Sequence, residues 1–186
     1  GAGGGGWVDI GTLGNELSAA MGSGGYTVEM WVRSSATFDQ TPFGNYDGDK
    51  ETATYIMLNR DYTNDNHTGA VYVYGKGTSP GGNPWGESVH GGVDQNMGVS
   101  DGNWHYLAVS FDPVNYELNV YTATNGATAT TSWTTQLNSD NNPVTFSNML
   151  ENLYIGSVNN QGTDYRSFNG EIDEVAVYDE MLSQSE

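Results

Sequence analysis

The chain has 186 residues, 23 of them Asp or Glu and 5 Lys or Arg, for a formal net charge of −18. That length suits one domain with a real core. The charge excludes nucleic acid, whose phosphates need the opposite sign, and disfavours an anionic membrane surface. Cysteine is absent, so the core, a metal or both must hold the fold. No apolar run is long enough to cross a membrane.

Residues 1–6, GAGGGG, read as linker or cloning residue. Residues 7–186 read as one domain, a module of something longer. Helix signals are almost missing, and strand signals recur between Gly, Asn, Asp and Pro. Residues 7–10 form a plausible first strand. Residues 13–20 fit either a short strand or one helical turn. Residues 26–33, YTVEMWVR, alternate cleanly. Tyr26, Val28, Met30 and Val32 make a core face, and Thr27, Glu29, Trp31 and Arg33 face the other way.

The loop Asn45-Tyr46-Asp47-Gly48-Asp49 sets carboxylates two apart around a glycine. Oxygens can converge there while Gly takes a sharp turn. Asp47 and Asp49 are therefore candidate metal ligands, with Tyr46 as a ligand contact; the alternative is an exposed polar hairpin loop. Residues 54–58 are the next strand. The segment 59–66, NRDYTNDN, offers Asp61 and Asp65 as further ligands and Tyr62 as a contact. Asx side chains also stabilise turns unaided. A strand follows at 70–74. The loop 79–87, SPGGNPWGE, holds Trp85 without a strand face to bury it. That indole either packs on a sugar ring or peptide side chain or plugs the end of the fold. Asn83 lies beside it, and Asp94 sits on the same rim.

Strands are expected at 104–111, 116–123 and 153–155. Residues 159–166 then form a polar loop with Tyr165 and Arg166 as ligand contacts. Arg166 can grip a ligand carboxylate bidentately or pair with one of the many acids. Residues 171–178, EIDEVAVY, make the closing strand. Plain alternation places Glu171, Asp173, Val175 and Val177 on one face. A carboxylate among valines is costly without a cation or several N–H groups, so Asp173 is the leading ligand for a calcium ion. Many short strands with turn punctuation predict an all-β, two-sheet antiparallel sandwich or jelly roll.

Four segments carry a family resemblance. Residues 101–112, DGNWHYLAVSFD, resemble the central hairpin of laminin-G-like, concanavalin A-like domains. Residues 152–156, NLYIG, resemble their LxIG strand, and 26–33 an early strand. Residues 168–183, beginning FNGEIDEVAVY, resemble their closing strand. The resemblance implies two antiparallel sheets, one concave, and in many members a structural calcium near the closing strand. It implies that Asp173 would share this ion with carbonyls of residues 22–25. The fold, acidity and lack of cysteine are also similar to ligand-binding domains of repeat-in-toxin adhesins of Gram-negative bacteria. That likeness implies a monomeric, calcium-dependent module at a bacterial cell surface, holding a peptide or protein of a host or neighbouring cell. The alternative is a calcium-dependent lectin; a glycosidase and a structural spacer rank lower.

Catalysis lacks support in the sequence. Glucanases of this fold carry Glu-x-Asp-x-x-Glu or Glu-x-Asp-x-Glu on a central strand. Here Glu171-x-Asp173-Glu174 has the wrong spacing, and it sits in the closing strand. No Gly-x-Ser-x-Gly elbow or nucleophilic Cys is present. His67, His90 and His105 show no metal-hydrolase spacing, and Trp104 reads as framework.

Overall fold

The computed structural model describes residues 6–11, 25–45, 53–60, 66–77, 87–93, 97–112, 117–124, 130–136, 152–160 and 163–185. Among these described residues, thirteen strands run in chain order: β1 (Val8–Gly11), β2 (Tyr26–Arg33), β3 (Gln40–Asn45), β4 (Ala53–Arg60), β5 (Asn66–Gly77), β6 (Glu87–Val93), β7 (Trp104–Asp112), β8 (Glu117–Thr124), β9 (Thr130–Gln136), β10 (Leu153–Ile155), β11 (Val158–Asn160), β12 (Thr163–Tyr165) and β13 (Glu171–Tyr178). A six-stranded sheet has the order β1-β10-β3-β4-β5-β6, and a five-stranded sheet the order β13-β2-β7-β8-β9. All strand pairings are antiparallel. The expected all-β sandwich is the fold found.

The strand period of two explains the core. Val28, Met30 and Val32 of β2, Leu107, Val109 and Phe111 of β7, and Leu118 and Val120 of β8 point inward. They meet Phe43, Ile56, Leu58, Val71, Val73 and Leu153 from the other sheet. Each fully buried aliphatic side chain contributes about 1.5–3 kcal/mol. A smaller cluster of Tyr55, Met57, Tyr72 and Val158 lies apart from this core. Between the sheets and the loops sits Asn59, fully buried at φ +64°. Its amide donates to the carbonyls of Ala36 and Phe38, and its Oδ1 accepts from Gly69 N–H and the Ser100 hydroxyl.

The closing segment ties the sheets together. Phe168 is buried in the core. Asn169 N–H donates to Gln40 Oε1, and the Ser34 hydroxyl donates to the Asn169 carbonyl. Gly170 lies against the Arg33 carbonyl, with no room for a Cβ.

Plain alternation fails once along β13. Asp173 pairs with Trp31 and Ala176 with Glu29. Two steps on β2 are thus matched by three on β13, a β-bulge that inserts one residue. Glu174, at φ +50°, takes up the change. Ile172, Val175 and Val177 pack against the core, whereas Glu171, Asp173 and Glu174 are exposed. Asp173 therefore does not share a face with Val175 and Val177. It also lies far from residue 25, which precedes the opposite end of β2, six residues or about 20 Å away along the strand.

Candidate functional site

The outer face of the five-stranded sheet divides into three zones along β2. At one end Thr27, Ala108, Ser110 and Tyr121 are buried. The segment after β13 covers them through hydroxyl contacts. Thr27 donates to the Glu180 carbonyl and accepts from Leu182 N–H, and Ser110 donates to the Leu182 carbonyl.

In the middle stands Glu29. It accepts from the Tyr178 hydroxyl at 2.5 Å and, through its other oxygen, from the Tyr106 hydroxyl. Register explains the convergence. Tyr106 lies opposite Trp31, and Tyr178 opposite Thr27, so each reaches Glu29 diagonally from a flanking strand. Burial and the Glu29 carboxylate raise the Tyr106 phenol well above its usual value. The hydrogen bond to Glu29, then burial, raises Tyr178. A raised phenol is stabilised in its neutral form. These bonds therefore support the fold fully below the ordinary tyrosine value near 10 and fade as pH climbs through the raised values. In an alkaline absorbance titration, two tyrosines that ionise late in the wild type are expected to ionise earlier in Glu29→Gln. An unchanged curve would place the two hydroxyls elsewhere.

The third zone is open. Trp31, Trp104, Asp173 and Glu174 line a groove of ≈ 210 Å³. Trp31 rests edge-on against Tyr106, with centroids 5.8 Å apart. The Arg33 guanidinium lies 5.2 Å from the Trp104 ring centroid and is paired with Glu171. The bulge is what presents both Asp173 and Glu174 here, and Asp173 Oδ1 accepts the Glu174 N–H at 2.9 Å. Two rigid aromatic surfaces and two acceptor-only carboxylates can hold a ligand with one apolar face and an edge of hydroxyls. Glu29, two residues along β2 from Trp31, accepts one phenol hydroxyl on each oxygen.

Trp104 belongs to this site; it was expected as framework. Its neighbour His105 is the framework residue, 3 % exposed, with Nε2 2.7 Å from Asp101 Oδ1. That bond and those from Asn103 hold the Asp101 carboxyl well below the usual range. Glu174 was missed as well. The spacing of Ile172, Val175 and Val177, three and then two, is the sequence mark of the inserted residue.

Among the expected site residues, Asp47, Asp49, Asp61, Asp65, Asp94, Tyr46, Tyr62, Asn83 and Trp85 lie outside the described residues. Tyr165 ends β12. Arg166 has its Nε 3.6 Å from Asp39 Oδ2 and its Nη1 3.5 Å from Met57 Sδ. Arg60 also pairs with Asp39, at 3.1 Å. Among the described residues, no three His, Cys, Asp or Glu side chains gather closely enough to hold a metal ion.

The profile of the laminin G 3 family, described as the concanavalin A-like lectin/glucanases superfamily, matches residues 2–186. No curated protein sequence matched the chain. Solved structures did. The CBM40 of the Ruminococcus gnavus IT-sialidase bound to alpha2,3 sialyllactose aligns with a TM-score of 0.65 and 16% identity, covering 97% of this chain and 89% of that one. The NanB sialidase of Streptococcus pneumoniae gives 0.64 and 17%, covering 97% of this chain and 25% of that one. Domains LG4-5 of the mouse laminin alpha1 chain give 0.54 and 14%, covering 88% and 38%. At these identities the likeness is one of fold.

Proposed function

Since this chain belongs to the concanavalin A-like lectin/glucanases superfamily, we propose that it is a glycan-binding module whose ligand lies between Trp31 and Trp104. One observation carries the reading: both indoles border an open groove that Asp173 and Glu174 complete. A sugar ring offers C–H groups to an indole face and hydroxyl donors to a carboxylate, which makes stronger hydrogen bonds than a neutral acceptor. Binding without turnover is part of the proposal; Glu29, two residues from Trp31 on the same face, is held by two tyrosines. A sialidase-associated CBM40 bound to sialyllactose shares the fold, which favours glycan over the peptide first expected for a bacterial adhesin.

Trp31→Ala and Trp104→Ala are each expected to weaken glycan binding by about 30-fold or more, the effect of losing a hot-spot aromatic of about 2 kcal/mol. Retention on immobilised glycans or a glycan array measures it. Peptide binding unaffected by either substitution would replace this reading with the adhesin one.

Calcium and a bacterial cell-surface location remain part of the proposal. They rest on the net charge of −18 and on the sequence segments that carry Asp47, Asp49, Asp61, Asp65 and Asp94. Extracellular calcium sites commonly have Kd values of about 10⁻⁴–10⁻³ M. Ten millimolar calcium would then stabilise stripped protein by about 1.4–2.7 kcal/mol per site. A melting temperature unmoved by calcium removes the metal from the proposal.

A further inference from the structure

We infer that the Trp31–Trp104 groove selects an uncharged sugar and discriminates against sialic acids and other carboxylated sugars. The inference rests on the glycan-binding reading above and goes on to name the ligand class. Asp173 and Glu174 line the groove as exposed carboxylates. Both accept hydrogen bonds and neither can donate when ionised. The hydroxyls of a neutral sugar supply donors to them. A sugar carboxylate would instead set a third anion beside two others, in a chain of net charge −18, and like charges at such range repel.

The one cation near the groove among the described residues is already engaged. Arg33 is paired with Glu171 and lies over the Trp104 ring. Recruiting it to a ligand carboxylate would strip Glu171 of its partner and leave another anion at the rim. The chain's two remaining arginines, Arg60 and Arg166, are both on Asp39, away from this face. Sharing a fold with a domain that holds sialyllactose therefore does not bring that domain's ligand to this groove.

The test uses matched pairs of oligosaccharides, each neutral glycan beside its sialylated counterpart, with lactose and alpha2,3 sialyllactose among them. Binding of the wild type, Trp31→Ala and the double variant Asp173→Asn/Glu174→Gln is measured by frontal chromatography or calorimetry at low and high salt. The neutral member of a bound pair is expected to bind at least about tenfold more tightly, with a gap that narrows as salt rises. The double variant is expected to close most of that gap, and Trp31→Ala to weaken both members. Sialylated glycans bound as tightly as neutral ones, with the same dependence on Trp31, would overturn the charge inference and leave the glycan reading standing. Binding of no glycan at all would overturn the reading beneath it. Circular dichroism melts of the variants, each expected within a few degrees of wild type, separate lost binding from lost fold.

Discussion

Gly170→Ala is expected to destabilise the domain by more than about 3 kcal/mol. A Cβ at this position would lie 2.1 Å from the Arg33 carbonyl oxygen and 2.9 Å from Phe168 Cε1. The first neighbour is backbone, so no rotamer change relieves the overlap. Either β13 lifts away from β2, or Phe168 leaves the core. Lifting β13 breaks the pairing of Glu171 with Arg33 and of Asp173 with Trp31, so any folded remainder should also lose the groove. For a chain of this size each kcal/mol shifts Tm by about 2–4 °C, giving a drop of about 6–12 °C or more in a thermal melt. Gly98→Ala is a useful contrast. That residue has φ +74° and open space around a Cβ, so its cost should be only the left-handed backbone term of about 1–2 kcal/mol. If the two variants melted together, close packing at Gly170 would not be the reason a glycine stands there.

The second large effect is expected at Asn59. Its side chain makes four hydrogen bonds that join three segments: residues 36–38, Gly69 and Ser100. Alanine would leave the buried Gly69 N–H and other partners unsatisfied, at about 1–3 kcal/mol for each buried group. It would also place a less tolerant residue at φ +64°. The sum is expected to be about 3–5 kcal/mol, or about 10 °C in Tm. Asn59→Gly separates the two contributions, since glycine accepts the backbone angle but supplies no bonds. It should recover only the backbone part. Full recovery by glycine would mean that the amide contacts contribute little.

Strands with a clear period were legible in the sequence. Residues 26–33, 153–155 and 171–178 are strands at the limits expected. β5 extends to Asn66 and Gly77, beyond the five residues expected. Strands that lack the signal were missed for identifiable reasons. β3 contains Pro42 and Gly44, which ordinarily demote a run. β6 carries Gly91 and Gly92, and β9 is Thr-rich with one aromatic. The polar segment 159–166 contains two of the three residues of β11 and all of β12, and was read as a loop because Asn-rich strands do not alternate visibly.

For the site, the outward set Glu29, Trp31 and Arg33 followed directly from period two. The partners across β13 did not, since alternation carried straight through residue 174 put Asp173 on the wrong side. Asp173 kept its prominence and changed its surroundings. It stands in water beside an indole, where its charge needs no buried cation. The hydroxyl clamp on Thr27 and Ser110 was invisible, because it depends on contacts more than 70 residues apart in the chain.

The extra residue in the closing strand also sets what can vary there independently. Downstream of it, Val175 and Val177 are committed to the interior and tolerate little change. Upstream, the side chains of Glu171 and Asp173 are exposed, while Ile172 between them packs against the core. New recognition chemistry can be written into that upstream stretch, by mutation or by design, without disturbing the packing a few residues on. Deleting the surplus residue, Glu174, would restore unbroken alternation: Asp173 would stay outward and the valines inward, so the groove would lose a carboxylate while the fold kept its core.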